Sequence, residues 1–161
     1  MNIFETFSPG SKIWIYQCSR EFTNDEVAEI AQKGEVFISR WHAHGSRLEA
    51  AIEIVYNRFI IFAVDEDHAQ ASGCSIDKSV AFIKETEAFY NVSLLDRMQV
   101  AFKANGIIAT SPLSEFENLL KSGLLNDNTI VFNNLVATKK EFDNNWEVPL
   151  KNSWHSRLIE S

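Results

Sequence analysis

The sequence lacks most of the signals that would declare a function at once. No G-x-x-x-x-G-K-[ST] segment occurs in its 161 residues, and neither Gly45 nor Gly73 is followed by Gly-Lys. A P-loop nucleotide hydrolase is therefore excluded. Cysteine occurs only twice, at Cys18 and Cys74, too few and too far apart for a disulfide framework, so a reducing cytoplasm is the expected compartment. The start of the chain, Met1-Asn2-Ile3-Phe4-Glu5, has neither a basic nor an apolar leader segment, and no signal peptide is expected. No apolar run approaches the roughly 20 residues that span a bilayer; the longest, Phe59 to Val64, is of strand length. Basic residues are also few: 15 Lys and Arg face 22 Asp and Glu, a net charge of −7. That balance argues against nucleic acid or an anionic membrane as the main partner, while leaving room for a local basic site.

Hydrophobic residues are plentiful at 45%, enough for a real core. With no internal repeat and no Gly/Ser linker, residues 1–161 read as one domain. Lys12 to Arg20 alternates as a strand. Thr23-x-x-Glu26 is a capping box, with Phe22 placed to staple onto Val27, and Gly34 reads as the stop of the first helix. Glu35 to His44 and Leu48 to Tyr56 read as further strands, and Phe59 to Val64, apolar on both faces, as a central one. A second helix begins near Ser75, with Ile76, Val80, Ile83 and Tyr90 as its apolar stripe. Met98 to Lys103 and Ile107 to Thr110 form a hairpin around Asn105-Gly106. Ser111-Pro112 opens a third helix that ends before Gly123, and Thr129 to Phe132 is strand-like. Trp146, Pro149 and Trp154 are expected to pin the C-terminal tail. The expected fold is α+β: an antiparallel sheet with helices packed on one face, related to the ferredoxin-like arrangement, with a C-terminal extension.

Four segments carry possible chemistry. Phe59 to Glu66 has the form of a Walker B strand, but without a phosphate-binding loop Asp65 and Glu66 have no nucleotide to act on. His42-Ala43-His44, on a strand, would place two imidazoles on one face about 7 Å apart. That pattern resembles the metal pair of HUH single-strand endonucleases, with Tyr90 in the place of their helical nucleophile. The acidic chain and the lack of a third ligand weigh against a metal there. Ser153-Trp154-His155-Ser156-Arg157 holds Ser and His, yet catalytic partners are defined by space and not by adjacency.

The fourth segment, Ser72-Gly73-Cys74-Ser75-Ile76-Asp77, is the preferred site. Gly73 permits a sharp turn into a helix whose first amides favour anions, and the same terminus would activate a Cys74 thiol. A purely local reading is also open: Ser75 as the helix cap, with Asp77 complementing the dipole. The binding set is Ser72, Gly73, Cys74, Ser75 and Asp77, with Asp65 and Arg97 as neighbours. Cys74 and His44 are the catalytic candidates, and His42 and His44 the metal candidates. The expected function is a cytoplasmic binding or regulatory domain for a small anionic ligand, with no cofactor. A thiol- or metal-dependent enzyme is the rival.

Several stretches together resemble a known family. They are Ile13-Trp14-Ile15-Tyr16-Gln17, Trp41 with Ala43-His44-Gly45, and Ser72 to Asp77 with Ser79-Val80. Val131-Phe132-Asn133-Asn134-Leu135-Val136 and Ser153-Trp154-His155-Ser156-Arg157 complete the pattern. It is similar to a family of small bacterial proteins that often carry the automatic label "ABC transporter ATPase". The label would imply nucleotide hydrolysis, which the missing P-loop contradicts in this chain. In that family Ala43-His44-Gly45 corresponds to the recurring core and the position of His42 varies, which the resemblance sets against the HUH reading.

Overall fold

Alternation and capping build the first elements. Strand β1 (Lys12–Gln17) is followed by helix α1 (Asn24–Ser39), whose N-cap is Thr23. Glu26 N–H donates to Thr23 Oγ1 at 3.1 Å, and Thr23 N–H donates to Glu26 Oε1 at 2.8 Å, a reciprocal capping box. Arg20 holds the same carboxylate at 2.8 Å, and that contact, with the Thr23 amide, lowers the Glu26 carboxyl to about 2. The structure, a computed structural model, describes residues 4–43, 45–66 and 71–159.

Helix α1 does not stop at Gly34. It runs five residues further, because Ile30, Gly34 and Ile38, four apart, form its buried stripe. A Cβ at Gly34 would lie 2.6 Å from Ile52 Cδ1 and 3.0 Å from Ile52 Cγ2, so glycine there permits close approach to the sheet. The expected strand over 35–44 is accordingly corrected: 35–39 is helix, and the strand is only β2 (His42–Ala43), paired with β3 (Ser46–Arg47). Strands β4 (Glu49–Val55) and β5 (Phe59–Asp65) then pair antiparallel along their whole length. The three-stranded sheet has the order β1-β5-β4, with every residue of β5 buried, as its two-sided apolar pattern implied. Ile60, Phe62 and Val64 join the core that also holds Ile30, Ile38, Trp41, Ile52 and Ile83.

Helix α2 (Gly73–Tyr90) starts two residues earlier than expected and is capped by Ser72, not Ser75. Its buried stripe is Ser75, Ser79, Ile83 and Thr86; of the expected apolar stripe only Ile83 is fully inside. These elements belong to one compact unit, Met1–Leu95 with Ala137–Lys140. The second unit comprises Asp96–Val136 with Glu141–Ser161, and no change of composition marks the passage at Leu95.

In the second unit β6 (Gln99–Ala104) and β7 (Ile107–Pro112) form the hairpin around Asn105-Gly106, both at positive φ. Helix α3 (Leu113–Lys121) follows without a side-chain cap, Ser111 being the buried end of β7 instead. Strand β8 (Ile130–Phe132), helix α4 (Lys139–Asn145), whose first two residues belong to the first unit, and strand β9 (Glu147–Pro149) complete the named elements. The four-stranded sheet has the order β7-β6-β8-β9. The fold class is thus α+β with antiparallel sheets. Among the described residues no helix is long and apolar enough to cross a membrane.

The C-terminal tail is held differently from expectation. Trp146 is buried, its indole N–H donating to Asn134 Oδ1 at 2.9 Å. Trp154, however, is only half-buried, and the anchor beside it is His155, 1% exposed.

Candidate functional site

The Ser72–Asp77 segment opens α2 as expected, but its serines bond each other. Ser75 N–H donates to Ser72 Oγ at 3.1 Å, and Ser72 N–H donates to Ser75 Oγ at 2.7 Å. Ser75 Oγ–H in turn donates to the Ser72 carbonyl at 2.8 Å, and the Ala71 amide is taken by Glu66 Oε2 at 2.9 Å. A helix start leaves four amides open, and here the serine box occupies part of that set. Ser75 is 1% exposed and so faces the core. Gly73, Cys74 and Asp77 are exposed, and the Cys74 thiol has no hydrogen-bond partner among the described residues.

Of the other expected site residues, Asp65 is the last residue of β5. Asp65 shares the register of Phe59, Ile61 and Ala63, the sheet face opposite Ile60, Phe62 and Val64. It is 9% exposed, and Ser8 Oγ–H lies 3.5 Å from its Oδ1. Arg97 belongs to the second unit and is exposed. His44 lies outside the described residues. His42 is exposed, with Nδ1 2.7 Å from the Arg40 carbonyl. Among the described residues no group of three or more His, Cys, Asp or Glu side chains could hold a metal ion.

The HUH arrangement also fails on distance. Tyr90 sits at the C-terminal end of α2, while Trp41, next to His42, bonds Ser75 near its N-terminal end. The 15 residues between Ser75 and Tyr90 span about 22 Å of helix. The Tyr90 hydroxyl donates to Glu29 Oε2 at 2.7 Å, and burial together with that carboxylate pushes it up to about 12. That places it far from an activated nucleophile.

Ser153 and His155 do meet. Ser153 Oγ and His155 Nδ1 are 2.7 Å apart, but both residues are buried, under the rings of Phe116 and Trp154. Burial lowers the His155 imidazole to about 4, so it is neutral near pH 7 and shares a hydrogen bond with the serine hydroxyl. With no access for a substrate, the pair is a fastening of the tail.

The feature that the sequence reading missed is a groove between α1 and α2. It has a volume of about 760 Å³, within the range of small-molecule sites. Four contacts fix the two helices antiparallel: Tyr90 to Glu29, Lys33 Nζ 3.6 Å above the Phe89 ring, Phe37 beside Phe82 at 5.2 Å between centroids, and the Trp41 indole N–H donating to the Ser75 carbonyl at 2.8 Å. The floor is aromatic, with Phe37, Trp41 and Phe82 packed on Phe62. Val36, Ala81 and Phe89 continue the apolar lining, and Val36 and Phe89 are well exposed.

Charge along the groove is uneven. Among the described residues Lys33, Arg40 and Lys78 line it against a single carboxylate, Glu85, in a chain whose net charge is −7. The antiparallel register sets Arg40 level with Lys78, and Lys33 level with Glu85 and one turn from Phe89. Neither Arg40 nor Lys78 has an ion-pair partner among the described residues. The macrodipoles of two antiparallel helices oppose each other at that end, so the positive field comes from these two side chains.

Comparison with protein-family models, with curated proteins and with solved structures finds no match for the chain.

Proposed function

We propose that this chain is a binding protein that takes a small acidic ligand, with its site in the α1–α2 groove, on the same helix whose first turn holds Ser72–Asp77. The observation that carries the reading is the pairing of an aromatic floor with two cations, Arg40 and Lys78, that have no ion-pair partner within the described residues. An apolar cleft with a few convergent polar groups is the usual form of a small-ligand site, and a guanidinium beside an ammonium selects for an oxyanion. The expected ligand class is thus kept, while its place moves from the α2 terminus, where the serine box occupies amides, to the side of that helix. The resemblance to the ABC-labelled family belongs to this proposal without the hydrolase activity that the label implies.

The test is an amide-resolved NMR titration with phenylacetate against its neutral isostere phenylacetamide. The proposal expects shifts at Arg40, Lys78, Phe82 and the Trp41 indole with the acid and much weaker ones with the amide. Equal responses to both, or shifts confined to Gly73 and Cys74, would overturn it.

One observation favours a second reading. Cys74 is an exposed thiol at the first turn of α2. Such a cysteine is placed for thiol chemistry, and a thiol-dependent activity would be abolished by Cys74→Ser while groove binding would persist.

A further inference from the structure

We infer that the ligand of the α1–α2 groove is an unbranched amphipathic carboxylate, an acyl chain whose head group is held at Arg40 and Lys78 and whose tail runs toward Phe89. The inference rests on the groove being the binding site, and it adds the shape and direction of the ligand.

Three observations give the direction. First, the cations differ in availability: Lys33 Nζ lies 3.6 Å from the Phe89 ring centroid and 5.4 Å from that of Tyr90, so it is already engaged by π-faces. Glu85, level with Lys33, makes that end unfavourable for an anion, whereas neither Arg40 nor Lys78 makes an ion pair among the described residues. Second, the lining between the two ends is mostly apolar, from Phe37 and Ala81 to Phe82 and Phe89, with Gln32 and Thr86 as its uncharged polar members. Third, the groove is long: Lys78 to Phe89 is about 16 Å along the helix at 1.5 Å per residue. An inorganic oxyanion would use the head and leave the rest unoccupied. A chain would use both, and it would cover Val36 and Phe89, which are 49% and 67% exposed.

Calorimetric titration of the full chain with hexanoate, octanoate and decanoate, below their micelle-forming concentrations, tests the inference, with phenylacetate and 1-decanol as controls. Affinity should rise about fourfold for each methylene, which corresponds to about 0.8 kcal/mol. Decanoate should bind at least tenfold more tightly than 1-decanol. The Arg40→Gln/Lys78→Gln variant should remove that preference and leave 1-decanol unchanged, while Lys33→Gln should keep it. Both positions are exposed, and an unchanged thermal midpoint shows that the double variant is folded.

Affinity that is flat with chain length, while phenylacetate binds, would overturn the acyl-chain inference and leave the acidic-ligand reading standing. Decanol bound as tightly as decanoate, or no carboxylate bound at all, would overturn both. Decanoate binding that ignores the Arg40→Gln/Lys78→Gln change would overturn the assigned direction. An acidic amphipathic peptide that binds where every carboxylate fails would make the groove a protein-docking surface instead.

Discussion

His155 makes the stability of the second unit depend on pH in a calculable way. The ring is 1% exposed, its Nδ1 is hydrogen-bonded with Ser153 Oγ at 2.7 Å, and Trp154 stacks on it at 3.9 Å between centroids. Burial lowers its pKa from 6.5 to about 4, so the folded state resists a proton that the unfolded chain accepts. Because the folded value is the lower one, this contribution is complete above pH 6.5 and is lost as pH falls from 6.5 toward 4. At 1.36 kcal/mol per unit the full loss is about 3 kcal/mol, of which about 2 kcal/mol is gone by pH 5. Urea unfolding at pH 7.5, 6, 5 and 4.5, for the wild type and for His155→Gln, measures it. The glutamine variant keeps a polar group but cannot titrate, so carboxylates common to both chains cancel in the difference. The stability gap between the two should narrow, or change sign, by about 2 kcal/mol between pH 7.5 and pH 5. Parallel profiles over that range, or an imidazole that titrates near 6.5 by NMR, would refute the reasoning.

Other consequences follow from single contacts. Gly34→Ala sets the helix-propensity gain of about 1 kcal/mol against overpacking of about 1–3 kcal/mol on Ile52, so a net loss is expected by thermal or urea unfolding. The loss should shrink in an Ile52→Val background, which removes the Cδ1 atom in the way; an unchanged loss would show that Ile52 is not the obstacle. Ser72→Ala removes the side-chain cap of α2 and should cost about 1 kcal/mol, read as a lower urea midpoint at unchanged slope. Iodoacetamide should modify Cys74 in the native protein and spare Cys18, which is buried and whose thiol burial pushes up; peptide mapping distinguishes them.

The legible parts of the chain were those whose physics is local. The Thr23/Glu26 capping box and the Asn105-Gly106 turn need only neighbours in sequence, and both form as read. β5, apolar on both faces, could only be central. Gly34 was misread because a glycine after an apolar stripe has the form of a helix stop, while its actual role is contact with Ile52, eighteen residues away. That error concealed the groove. With 35–44 taken as a strand, Val36, Phe37 and Arg40 had no helical face to share with Gln32 and Lys33. The signal was present as the four-residue spacing of Gln32, Val36 and Arg40, and as the four- and three-residue spacing of Lys78, Phe82 and Glu85. Which of two helices faces which is a tertiary fact that neither spacing contains. The Ser72 cap was missed for a smaller reason: its partner at the third helical position is serine, where the usual box has Glu or Gln.

The most direct test of the central claim is paramagnetic broadening by a small nitroxide carboxylate, compared with its neutral amide, mapped on backbone amides. The account predicts broadening by the acid along residues 33–41 and 78–86, strongest near Arg40 and Lys78 and abolished by Arg40→Gln/Lys78→Gln. Broadening centred on Gly73 and Cys74, or equal broadening by the acid and the amide, would contradict it.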